Sequence, residues 1–156
     1  ALPISVSGDA VHEPGNFKVP FGMNQAELIE AAGGYKVDPE KIISGGPMMG
    51  FSMFTVDVPV TKTSSSILCF TKDEVAQYEP TACINCGRCV EVCPSRLIPS
   101  RLADYAEHHD EEAFTKHEGL ECMECGSCSY VCPAKRQLKQ AIGSMRKTAL
   151  ANRKKK

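Results

Sequence analysis

Cys83-Ile84-Asn85-Cys86-Gly87-Arg88-Cys89-Val90-Glu91-Val92-Cys93-Pro94 spells C-x2-C-x2-C-x3-C-P, and Cys122 to Pro133 spells it again thirty-nine residues later. The two runs also share Gly87 with Gly126 and Val92 with Val131, which marks an internal duplication. They hold eight of the chain's nine cysteines. An odd count at tight, repeated spacing fits metal ligation better than a set of disulfides, which need an oxidising compartment that nothing in the sequence indicates. Structural zinc takes two C-x2-C pairs with a long gap between them. Three cysteines within seven residues and a fourth close behind, twice over, exceed what zinc requires.

A four-iron cubane needs one thiolate on each iron. Three cysteines spaced three apart on a curling loop can reach three corners, but the fourth comes too soon to return to the same cube. It falls where the loop turns into a helix, and the following proline favours a chain reversal. In bacterial two-cluster iron–sulfur proteins the fourth cysteine of such a run ligates the other cluster. Carried over to this chain, that rule assigns Cys83, Cys86, Cys89 and Cys132 to one [4Fe–4S] cluster and Cys93, Cys122, Cys125 and Cys128 to a second. With every iron supplied with a thiolate, no open coordination position is expected. The pattern therefore predicts electron transfer and no catalytic residue. Ile84, Val90, Val92, Met123 and Val131 are expected to exclude water, and Gly87 and Gly126 to let backbone N–H groups approach sulfur. Arg88, Lys135 and Arg136, close to the ligands in sequence, read as solvent-facing. Cys69, between Leu68 and Phe70, reads as a small buried hydrophobe.

The remaining composition narrows the class. A chain of 156 residues with no tryptophan suits one domain or two small ones with modest apolar area. The start, Ala1 to Ala10, has no basic region ahead of an apolar core, and no run approaches the roughly 18 apolar residues of a membrane span. Reduced thiols point to the cytoplasm. Charge is uneven: Lys135 to Lys156 carries nine bases and no acid, while the rest of the chain is ten charges negative. A solvated helix end explains the basic tail, because cations suit a helix C-terminus. Interleaved basic and aromatic residues are missing, so no nucleic-acid partner is expected.

Upstream of the cysteines the pattern changes. Leu2, Ile4 and Val6 alternate with small or polar residues, as on a half-buried strand, and Gly8-Asp9 ends the run. Glu13 to Asn16 reads as a turn, with Phe17, Val19 and Phe21 alternating after it. Asn24 and Glu27 form a capping-box pattern ahead of Ala26, Leu28, Ile29 and Ala32, and Gly33-Gly34 is a helix stop. Lys41 to Ser44 and Ile67 to Phe70 read as further strands. Gly45 to Gly50 is a tight connection or a loop allowing close approach of a ligand; no G-x-G-x-x-G occurs. The order of elements predicts an α+β fold: a β-grasp domain over 1–70, a linker over 71–80 and a helical two-cluster domain over 81–156. In the last part, Ile98, Leu102 and Tyr105 recur at helical spacing after Pro99. Asp110 to Glu112 opens a short helix carrying Ala113 and Phe114, and a final helix runs from about Lys135 through Leu138, Ile142 and Met145, weakened by Gly143. His12, His108, His109 and His117 show no metal spacing.

The stretches SVSGDAVHEPGNFKVPFG, ELIEAAGG, IISGGPMMG, ACINCGRCVEVCPSRL and ECMECGSCSYVCPAKR, taken in order, resemble the C subunit of the Rnf complex. That complex is a membrane-bound, ion-translocating ferredoxin:NAD oxidoreductase of bacteria. The resemblance implies a soluble-ligand-binding β-grasp (SLBB) domain followed by an alpha-helical, ferredoxin-like domain, and the eight cysteines match the family's cluster ligands position by position. It also implies a larger segment ahead of Ala1 that carries FMN and NAD(H), so these cofactors are not expected on the residues present here. Its further implications are a peripheral place on the cytoplasmic face of the cell membrane, other Rnf subunits as partners, and ferredoxin-type redox partners. Two other readings are compatible with the same residues: a cobalamin reductase of the propanediol-utilisation type, which resembles this architecture, and a non-redox interaction module stapled by its clusters.

Overall fold

Alternation puts Ile4 and Val6 on one face of strand β1 (Leu2–Ser7), and both are buried. The strand pairs antiparallel with β2 (Gly15–Val19) and parallel with β5 (Ser66–Phe70). Strand β3 (Lys41–Ser44) lies antiparallel to β5 and to the short β4 (Phe51–Met53), so the sheet runs β2-β1-β5-β3-β4. Helix α1 (Gln25–Ala31) contributes Leu28 and Ile29 to a core shared with Ile4, Val6, Val19, Ile67 and Cys69. A helix packed on a mixed sheet with a central parallel pair is the α+β arrangement expected of a β-grasp. The structure, a computed structural model, describes residues 1–154 of the chain. It separates into two compact units, Ala1–Gln77 and Tyr78–Lys156.

Several local expectations change in the first unit. Strand β2 already includes Gly15 and Asn16, and it ends at Val19 because Pro20 has no N–H to offer the ladder; Phe21 lies beyond it and is exposed. Asn24 does cap α1, but by accepting from the Ala26 N–H at 2.9 Å, while its own amide donates to Asp57 at 2.5 Å. Among the described residues Glu27 makes no reciprocal contact with the Asn24 N–H. Gly33 and Gly34 stop the helix, both with positive φ, at 79° and 73°. The Gly45 to Gly50 segment is the connection between β3 and β4.

The second unit is helical. Helices α3 (Pro99–Glu107), α4 (Glu111–Lys116) and α6 (Leu138–Arg153) pack around Leu102, Ala103, Phe114, Leu138 and Ile142. The one-turn helices α2 (Arg88–Glu91) and α5 (Ser127–Tyr130) sit inside the two cysteine runs, each ahead of the fourth cysteine rather than after it. Pro99 occupies the first turn of α3 and Asp110 caps α4, accepting from the Ala113 N–H at 2.9 Å. Ile98 lies outside α3 and is exposed, its place in the core taken by Leu97. Helix α6 begins at Leu138, three residues later than the periodicity predicts, because Lys135 is held at φ 53° and cannot join a right-handed helix. The basic stretch from Lys135 runs through the residues ahead of α6 and along the helix to Lys154 just past its end; Lys155 and Lys156 lie outside the described residues. No helix among the described residues is long and apolar enough to cross a membrane.

Candidate metal centre

The two cysteine runs fold into the same loop twice. Asn85 and Glu124, Gly87 and Gly126, and Arg96 and Lys135 form three pairs thirty-nine residues apart, and all six have positive φ, between 53° and 84°. Four of these six are not glycine, and each such residue costs on the order of 1 kcal/mol of backbone strain. The same strained positions recur in both loops, so each loop repeats the other's backbone path.

Each loop curls its cysteines around a hollow. Cys83, Cys86 and Cys89 line the first together with Cys132. The second is lined by Cys122, Cys125 and Cys128 together with Cys93. Three thiols of one run thus meet the last thiol of the other, in both directions. The one-turn helices make the exchange possible: Cys89 within α2 lines the first hollow and Cys93, two residues past its end, lines the second, while Cys128 within α5 and Cys132 two residues past it do the converse. One helical turn rises about 5–6 Å, so the two hollows are near neighbours.

Backbone and side-chain donors already address the sulfurs. The Leu97 N–H donates to Cys93 Sγ at 3.3 Å and the Glu124 N–H to Cys122 Sγ at 3.4 Å. Burial pushes the Cys128 thiol up to about 11 and also raises that of Cys122. Cys125 is lowered instead, chiefly by the Ser127 hydroxyl 3.5 Å away and then by the Ser127 backbone. All nine cysteines are free thiols. Among the described residues no three His, Cys, Asp or Glu side chains gather as ligands around a single ion; the sulfurs ring a space instead. The donor set, four soft thiols per hollow with N–H groups aimed at sulfur, fits an iron–sulfur cluster. The two hollows measure about 110 Å³ and about 20 Å³.

The surroundings depart from the sequence reading in two ways. Ile84, Val90, Val92 and Met123 do not form a dry wall: Ile84 is 65% and Met123 56% exposed. Dryness comes from Leu97, Leu102, Leu138 and Ile142, which line the hollows from the core side. The signal for Leu102, Leu138 and Ile142 was the helical periodicity, which places them in the core and gives no hint that the core backs onto the sulfurs; Leu97, which takes the place expected of Ile98, carried no such signal. Arg136 does not face solvent either. Its guanidinium lines the first hollow and donates to Asp104 at 2.8 Å and to Glu107 at 2.9 Å. Burial alone would lower its pKa, but these two carboxylates outweigh burial and hold it above its ordinary value. Lys135 stands 4.3 Å over the ring of Tyr78, and Arg88 lines the first hollow. Cys69 is fully buried in the first unit, as expected, and far in sequence from either quartet.

Comparison with known proteins agrees with both units. The SLBB domain family matches residues 3–52 and the 4Fe-4S dicluster domain family matches residues 82–136. The C subunit of the Na(+)-translocating ferredoxin:NAD(+) oxidoreductase complex of Acetobacterium woodii is 41% identical over 152 residues, covering 97% of this chain and 34% of that protein. The corresponding C subunit of the proton-translocating complex of Clostridium ljungdahlii is 46% identical over 99 residues, 64% of this chain and 22% of that protein. The C subunit of an ion-translocating oxidoreductase complex in Yersinia enterocolitica is 38% identical over 115 residues, 73% of this chain and 16% of that protein. The chain therefore spans about a third or less of the length of these relatives. Residues 3–52 are thus similar to SLBB domains and residues 82–136 to 4Fe-4S dicluster domains, and the Acetobacterium woodii C subunit is similar across nearly the whole chain.

Proposed function

We propose that this chain is the electron-relay part of the C subunit of such a complex, with Cys83, Cys86, Cys89 and Cys132 holding one [4Fe–4S] cluster and Cys93, Cys122, Cys125 and Cys128 the other. The observation that carries the reading is the pair of neighbouring hollows, each ringed by three thiols of one run and the last thiol of its duplicate. When bound, the clusters supply reversible one-electron chemistry. The chain's own residues fix how that chemistry is used. All four positions around each hollow are thiols, so the site is closed to substrate. N–H groups of Leu97 and Glu124 stabilise negative charge on sulfur, while Leu102, Leu138 and Ile142 keep the core side free of water. In the same reading FMN and NAD(H) bind a part of the whole protein outside these residues. The chain then sits peripherally on the cytoplasmic face of the membrane against other subunits and exchanges electrons with ferredoxin-type carriers. The relatives' names support a place among the subunits of such a complex, and the dicluster match supports the relay.

Anaerobic reconstitution with iron and sulfide, followed by EPR of the reduced chain, tests it. About eight irons per chain and two interacting signals are expected. Single alanine variants then test the ligand sets. Cys93→Ala should leave the same residual spectrum as Cys125→Ala, and Cys132→Ala the same as Cys86→Ala. A Cys93→Ala spectrum matching that of Cys86→Ala would refute the crossed assignment.

A further inference from the structure

Arg96, Arg101 and Lys116 open onto a groove of about 300 Å³ on the helical unit. We propose that this groove is the docking surface for an acidic one-electron carrier protein, which exchanges electrons with the hollow ringed by Cys93, Cys122, Cys125 and Cys128. The proposal rests on the relay reading above and adds to it where the carrier docks.

Charge comes first. All three cations are exposed, and among the described residues none has an ion-pair partner, whereas Lys41, Arg136 and Arg146 are all paired. His117 joins them, held at the groove by stacking on Tyr105 with ring centroids 5.2 Å apart. Glu118 is the single acid in the lining. Arg96 is fixed at φ 54° with its N–H bonded to the Cys93 carbonyl at 3.0 Å, so its place on the rim is set by the cysteine loop itself. Helix α6 carries four further bases, Lys139, Arg146, Lys147 and Arg153, but the groove gathers its three unpaired ones around an apolar point, the 43% exposed Ile98. A ring of one charge around a small apolar centre is the form of a transient, steered interface.

Position relative to the sulfurs is the second argument. Leu97 and Leu102 line this groove and also the second hollow, so two side chains separate a docked surface from the thiols. Leu97 is moreover bonded directly to a ligand sulfur, its N–H donating to Cys93 Sγ. The first hollow shares neither leucine. A small phosphate-bearing ligand would also be attracted to these cations, but it would give no reason for the groove to back onto the thiols. In the transfer one electron passes from reduced carrier to oxidised acceptor, with no bond or proton moving.

The test uses the full chain loaded with both clusters and a strongly acidic bacterial ferredoxin as probe. Stopped-flow spectroscopy follows reoxidation of the reduced ferredoxin, and calorimetry measures its binding at low salt. The double variant Arg101→Glu/Lys116→Glu should slow the second-order rate at least tenfold, weaken binding in parallel and flatten the salt dependence. Its EPR spectrum and its reduction by a small uncharged dye should stay unchanged. Lys147→Glu, an exposed charge reversal on α6 outside the groove lining, should leave the rate within about twofold. Equal ferredoxin rates in wild type and double variant, with intact clusters, overturn the docking proposal and leave the relay standing. Inorganic phosphate that binds the groove at millimolar concentration, with no effect of the variants on ferredoxin, overturns it in favour of a small anion. A wild-type chain that takes up no iron removes the relay reading and this proposal with it.

Discussion

A β-carbon at Gly119 would stand 2.5 Å from Cε1 and Cζ of Phe114, the largest fully buried side chain of the helical unit. Gly119 opens the turn Gly119–Glu121 and accepts from the Cys122 N–H at 3.3 Å, so the same close approach aims the second cysteine run. Gly119→Ala must push the ring or the turn aside. Overpacking of this kind costs about 1–3 kcal/mol. Thermal unfolding should show that loss, with reduced iron uptake by the hollow that contains Cys122. An unchanged melting temperature would mean that the core around Phe114 is looser than its burial indicates.

Metal removal should cost the helical unit more than a local rearrangement. Cys89, Cys93, Cys122, Cys128 and Cys132 pack against the cluster of Leu97, Leu102, Phe114 and Ile142, so the proposed ligands are also core residues. The strained residues Asn85, Arg96, Glu124 and Lys135 lie in the same loops. Where ligands are built into the fold, metal-binding energy is folding energy. Stripping iron with a chelator under reducing conditions should therefore lower helical circular dichroism and expose the 78–154 segment to protease. The first unit, which holds its core without either run, should remain protected.

Much of this was legible beforehand, for identifiable reasons. Cysteine spacing is a local code, so the eight ligand candidates and their duplication could be read directly. Strand alternation at Ile4 and Val6 and the stop at Gly33-Gly34 are equally local. What failed depends on contacts distant in sequence. Arg136 looks like any basic residue beside a motif until Asp104 and Glu107, about thirty positions earlier, are seen to hold it. Ile84 and Met123 are apolar and adjacent to ligands, yet sequence adjacency on a curled loop points them outward. The late start of α6 follows from the positive φ at Lys135, which the duplication predicts only once Arg96 is known to share it.

Acid should weaken the first unit through its carboxylates. Asp73 lies well below the usual aspartate range because the Lys41 ammonium donates to it at 2.8 Å. Asp9 is lowered by the Thr71 hydroxyl and then by the Thr71 backbone N–H at 2.9 Å. Both folded values lie below the unfolded value near ~3.9. The stability they contribute is thus fully present above that value and disappears as pH falls through the folded ones. Melting of the first unit should be flat from neutrality to about pH 5 and fall modestly below about pH 4, because Asp9 is exposed and the Lys41–Asp73 pair is only partly buried. Asp73→Asn should make the acid slope shallower. A variant with the same slope as wild type would show that the Lys41 pair contributes nothing.

Gly143 in the middle of α6 is a helix weakness by propensity, and its neighbour decides what a substitution does. A β-carbon there would lie 3.0 Å from Glu124 Oε2, the carboxylate whose other oxygen accepts from Arg146 at 3.2 Å. Alanine gains up to about 1 kcal/mol of helix propensity. Glu124 is touched only at the free end of a flexible side chain, and its partly exposed ion pair is worth well under 1 kcal/mol by the usual measure of such pairs. The helix term wins, so Gly143→Ala should be neutral to stabilising by about 0.5 kcal/mol. Gly143→Leu has no such escape. It must drive Glu124 off Arg146 and disturb the loop that carries Cys122 and Cys125. Denaturant unfolding of the two variants should move in opposite directions, and a destabilised alanine variant would show that Glu124 is held more tightly than its ion pair alone accounts for.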